Sequence, residues 1–72
     1  MTTELQIIAT TDRAVLGTLT MGSDGTVSTS DGLAADWWQA KKRLSGASDK
    51  DLFAWYVEHG WANMAAALVP AD

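Results

Sequence analysis

RAVLGTLTMGSDGTVST, residues 13–29, is the stretch on which the fold turns. Val, Leu and Thr dominate its first part, and Val15, Gly17, Leu19 and Met21 alternate so as to share one face of a strand. Gly22-Ser23-Asp24-Gly25 then interrupts the run. Asp-Gly between two strand-like segments favours a hairpin, because glycine accepts the positive φ such turns demand. Thr26 to Thr29 reads as the returning strand. Gly17 in mid-strand predicts either a bulge or the close approach of another backbone.

Downstream, Ser30 and Asp31 are placed to cap a helix beginning near Gly32 or Leu33. At about 100° per residue, Leu33, Trp37, Ala40 and Leu44 fall on a narrow stripe, the expected core face. Lys41, Lys42 and Arg43 lie in the last turns, where cations complement the helix dipole, and Gly46 is a natural stop. A second helix starts at Ser48, whose spacing to Asp51 resembles a capping box. It should run to His59, stop at Gly60, and have Trp61 packing back over its end. Its apolar residues Leu52, Phe53, Trp55, Tyr56 and Val57 span roughly 200° of circumference, wider than one sheet contact requires. Either the helix is wedged between sheet and first helix, or one flank is an interface.

Upstream, Leu5, Ile7 and Ile8 make an apolar, β-branched start, and Thr10-Thr11-Asp12 supplies a turn. At the other end, alanine propensity favours helix for Trp61 to Val69. The preceding stop and the following Pro70 favour a short strand from about Ala65 to Val69, which is the expectation adopted. The first three or four residues and the last two read as loose ends. The sum is α+β: residues 1–72 form one small domain, a hairpin within an antiparallel sheet of three or four strands, packed against two helices on one face. The opposite face or an edge strand would stay partly open, and an open edge invites strand addition by another chain.

A chain of 72 residues buries only about 60% of the surface its unfolded form exposes. Small scaffolds compensate with disulfides, a metal or self-association. With no cysteine and a single histidine, His59, self-association or docking on a larger partner is the route left. No cofactor or metal site is expected. Net charge is −4, nine acids against five bases, which argues against tight non-specific nucleic-acid binding. No window approaches the about 18 apolar residues of a membrane helix. The N-terminus carries an acid where a signal peptide is basic. An intracellular location follows as the expectation.

Catalysis is not expected. No serine lies in a nucleophile-elbow pattern, Gly22 and Gly25 belong to a hairpin and not a phosphate loop, and the carboxylates sit where capping explains them. His59 before Gly60 suits a helix-end cation. The candidate sites are therefore surfaces. Trp38 lies more than about 100° from the Leu33–Leu44 stripe. Either a second surface of the domain covers it, or it is an exposed aromatic with basic neighbours, waiting for a partner. Trp38, Trp55 and Trp61 are the expected aromatic anchors, so that Trp38→Ala should weaken association and leave the fold intact. Lys41, Lys42 and Arg43 form the one basic cluster, a solvated helix end or, more sharply, a phosphate contact.

Taken in order, RAVLGTLTMGSDGTVST, LAADWWQAKKRLSG and DLFAWYVEHGWANM resemble small uncharacterised proteins of actinobacterial tailed phages and prophages, often encoded near head genes. In those, a hairpin and two helices end in a Gly-Trp-Ser-Asn-Gly-like turn and a final strand. The resemblance covers residues 13 to 69. Here the turn is Gly60-Trp61-Ala62-Asn63-Met64, with Ala62 in place of serine and Met64 in place of glycine, which puts the turn geometry and the last strand in question. The resemblance implies a phage structural or accessory protein that binds capsid or sister subunits. The alternative is a small regulatory protein acting on a host or phage enzyme or transcription factor.

Overall fold

The computed structural model describes residues 4–71; the expected loose ends at residues 1–3 and 72 lie outside them. The elements run β1 (Glu4–Ala9), β2 (Val15–Met21), β3 (Val27–Thr29), α1 (Gly32–Ser45), α2 (Asp49–His59), β4 (Trp61–Ala62) and β5 (Ala66–Pro70). The strands form one antiparallel sheet in the order β3-β2-β1-β5-β4. Both helices pack on one face of it. The sheet has five strands, where three or four were expected, because the Trp61 segment pairs with β5 as a short edge strand.

Local chemistry explains most boundaries. In the β2–β3 hairpin, Gly25 takes φ 86° and Gly22 N donates to Thr26 O. Asp24 accepts from the Thr26 hydroxyl and amide, which holds its carboxyl below the ordinary range. Asp31 caps α1 by accepting from Ala34 N at 2.9 Å, and Gly46 ends it in the left-handed region. Ser48 caps α2, and Gly60 ends it with its amide on Tyr56 O. Asn63 carries the β4–β5 turn, with Ala62 and Met64 on either side of it. Its side-chain oxygen accepts from Ala65 N and Ala66 N, and its amide donates to Ala66 O. Thr10 then ties the β1–β2 turn to this one through Met64 O and Ala65 O.

Gly17 satisfies both of its readings. The register of β1 on β2 skips beside it, so Ile7 faces Gly17 and Ile8 faces Val15, leaving Leu16 as the extra residue of a bulge. Gly17 itself is where α1 touches the sheet: a Cβ there would stand 2.8 Å from Ala34 Cβ. The bulge also corrects the expected alternation of β2. Cross-strand partners share a face, so Val15 lies with Ile8 on the far side of the sheet, away from Leu19 and Met21. That far face is partly open, with Val15 exposed.

The close approach decides which side of α1 is buried, and it is not the Leu33–Trp37–Ala40–Leu44 stripe. Ala34 seats on Gly17, and Trp38, one turn on, fills the space beyond it against Phe53 and Tyr56. Leu33 and Leu44 are left 60% and 82% exposed. A helix pressed onto a glycine needs a small residue at the contact, and the Ala34 register supplies alanine there with Trp38 four residues later. The core is Leu5, Ile7, Leu19, Ala34, Trp38, Leu52, Phe53, Tyr56 and Leu68.

The sheet edges are not the expected open template. β3 has three residues and β4 two, and the Val27 amide donates to Asp49 Oδ2 at 3.3 Å. Edges this short, one of them with a backbone amide taken by a side chain, resist strand addition.

Candidate interaction surface between the helices

Asp49, the first residue of α2, organises the region where the helices meet. Its carboxylate accepts from Trp38 Nε1 at 3.1 Å and from Val27 N, and it pairs with Lys42 Nζ at 2.7 Å. One side chain thus joins α1, α2 and β3. The Lys42 ammonium, and then the Trp38 and Val27 N–H groups, hold this carboxyl below the usual aspartate range against the opposing effect of burial. The arrangement also satisfies the indole N–H that a buried tryptophan brings with it.

Trp38 is therefore no partner-seeking aromatic. It is 2% exposed, at the centre of the core, and the expectation that Trp38→Ala spares the fold is corrected. The helical wheel placed Trp38 off the apolar stripe because it took the wrong stripe as buried.

Apart from Phe53, the other aromatic groups form a continuous belt that reaches the surface on either side of the buried Tyr56. His59 stacks on Trp55 with ring centroids 4.5 Å apart, and Trp55 meets Tyr56 edge-on at 5.4 Å. Tyr56 lies 5.9 Å from Trp37, and Trp37 meets Trp61 edge-on at 5.3 Å. Lys41 Nζ caps the far end, 4.4 Å from the Trp61 ring centre and 5.3 Å from that of Trp37. Within the belt, Trp55 is half exposed, Trp37 and Trp61 are half-buried, and Tyr56 is buried, which pushes its phenol pKa up. His59 Nδ1 sits 3.1 Å from Trp55 O, fixing the imidazole against the indole.

Beside Trp55 lies a groove of about 370 Å³ lined by Ser45, Ala47, Asp51, Leu52, Trp55 and Tyr56. It opens where the C-terminal end of α1, the connecting loop and the first turns of α2 converge. Leu52 and Tyr56 belong to the core, so the groove is an inlet of the core that the two helices leave uncovered. Its lining is apolar apart from Ser45 and Asp51, the make-up of a site for a side chain.

Of the expected residues, Trp55 and Trp61 lie on this belt, while Lys41, Lys42 and Arg43 do not act as a cluster. Lys41 is held over two indole rings and Lys42 by Asp49; of the three, Arg43 alone stands exposed with no ion pair among the described residues. Trp37, Tyr56 and the groove residues other than Trp55 are not among the expected site residues. The wide apolar arc of α2 was their signal, since the flank carrying Trp55 is the part that nothing covers. Among the described residues no group of His, Asp and Glu is arranged to hold a metal, and no helix is long and apolar enough to cross a membrane. Comparison with protein-family models, with curated proteins and with solved structures finds no match for the chain.

Proposed function

We propose that this chain is a non-enzymatic protein–protein interaction module, a structural or accessory protein of a phage particle, which binds capsid or sister subunits through the Trp55 groove. The observation that carries the reading is the state of Trp55. It is half exposed beside an apolar inlet, yet it is held on one face by His59 and at an edge by Tyr56. A tryptophan fixed in this way before binding loses little freedom on docking, which is what distinguishes an interface hot spot from a merely exposed ring. The phage assignment comes from the resemblance of the hairpin, the two helices and the Gly60-Trp61 turn.

Photo-crosslinking in the cell that expresses the protein tests both parts. A crosslinking residue at position 55 is compared with one at position 33, an exposed site at the opposite end of α1. Specific capture of a particle protein or of a second copy from position 55 is the expected result. A soluble enzyme or transcription factor captured there would move the module to the regulatory class. Equal labelling from both positions, or none from 55, would sink the docking site.

A further inference from the structure

Next to the groove residue Ser45 the chain carries an exposed apolar side chain and a base opposite in charge to the groove's acid. Leu44, in the last turn of α1 and next to the groove residue Ser45, is 82% exposed. Arg43 beside it is exposed as well. Inside the groove the one charged residue is Asp51, and among the described residues its carboxylate takes part in no ion pair. A protruding leucine with a base therefore lies alongside an apolar hollow with an acid at its rim.

A surface that carries both a knob and its hole is self-complementary. Two copies related by a two-fold axis between those features place each knob in the other's hole, and the contact closes on itself without growing further. We propose that the occupant of the groove is Leu44 of a second copy of this chain, with Arg43 of each copy set against Asp51 of the other. The inference rests on the groove being the binding surface and names what fills it. Apolar burial of Leu44 against Leu52, Trp55 and Tyr56 supplies the attraction. The two charge pairs at the rim set the register and offset the repulsion between copies that each carry a net charge of −4. For a domain of this length, such a dimer also answers the shortage of buried surface.

Sedimentation velocity on the full chain from micromolar to millimolar concentration reads the association directly. The expected result is a monomer–dimer equilibrium that Leu44→Asp moves to monomer. Arg43→Asp and Asp51→Arg alone should each raise the dissociation constant about tenfold or more, and the two together in one chain should recover most of the loss. These side chains are exposed, and circular dichroism with a thermal melt confirms that every variant folds. A monomer at all concentrations, a dimer indifferent to Leu44→Asp, or a double variant no better than the singles overturns the proposal. If the chain is monomeric while position 55 still captures a particle protein, only the identity of the occupant falls; if both experiments fail, the groove is not a binding surface.

Discussion

Trp37 and Trp38 are adjacent in the chain and end in different solvents. Trp38 faces the sheet, touches Phe53 and Tyr56, and gives its indole N–H to Asp49. Trp37 faces the other flank of α1, where its ring stacks edge-on with Trp61 under the Lys41 ammonium. On the first flank no buried side-chain polar atom among the described residues lacks a partner. On the second the aromatic rings partner one another and leave one side to water. The contrast separates two uses of tryptophan in a domain too small to spare one: as the volume that makes a core, and as prepared surface.

The largest effect is expected from breaking the inner flank. Trp38→Ala should remove about 3–5 kcal/mol, a large share of the roughly 4–10 kcal/mol a domain of this size possesses, and urea unfolding would show the midpoint falling by a comparable share. Gly17→Ala comes next, since its methyl must push Ala34 and with it α1 off the sheet. A loss of about 1–3 kcal/mol is expected, and Ala34→Gly in the same chain should recover part of it, which a double-mutant cycle measures.

Acid should loosen the same flank from its polar side. Asp49 titrates lower in the folded protein than in the unfolded chain, so its contribution is complete above the unfolded value of about 3.9 and is lost as pH falls through the folded one. Thermal melts should therefore show stability declining below about pH 4, and Asp49→Asn should be less stable at neutral pH with a flatter acid limb.

On the outer flank the effects are smaller and of another kind. Trp55→Ala should change stability by no more than about 1 kcal/mol while abolishing association, a split that a melt and a sedimentation run on one sample reveal. Lys41→Met, which keeps the aliphatic stem and removes the charge over Trp61, should cost about 0.5 kcal/mol, near the resolution of denaturant titration. Equal stability losses for Trp38→Ala and Trp55→Ala would erase the distinction between the flanks.

The sequence made the scaffold readable because its signals are local. Asp24-Gly25 announced the hairpin, Asp31 and Ser48 the helix starts, and Gly46 and Gly60 their ends; each works through atoms within a few residues. The last strand was readable from Pro70 and the stop before it. The face of α1 was not. Two apolar stripes run along that helix, Leu33–Trp37–Ala40–Leu44 and Ala34–Trp38, and helical periodicity accepts either. The choice follows a missing side chain elsewhere, at Gly17, where Ala34 comes so close that a Cβ on the glycine would stand 2.8 Å from its own. The Asp49 junction is hidden for the same reason, since it joins residues from two helices and a strand that only the fold assembles. The belt was half readable: Trp55 and Trp61 stood out by type, but the groove beside them depends on how α1 docks.

The pairing of β1 with β5 has a consequence for the time course of folding. These strands form the middle of the sheet, with Leu5 opposite Pro70 and Ile7 opposite Leu68, and they come from opposite ends of the described chain. The β2–β3 hairpin and both helices need only near neighbours and form early. The centre of the sheet waits until the loop containing all of them closes, an entropic toll levied before any of its contacts exist. During synthesis, Leu5 and Ile7 accordingly lack their partners Pro70 and Leu68 until the last strand has emerged, so the β1–β5 part of the core is the last to close.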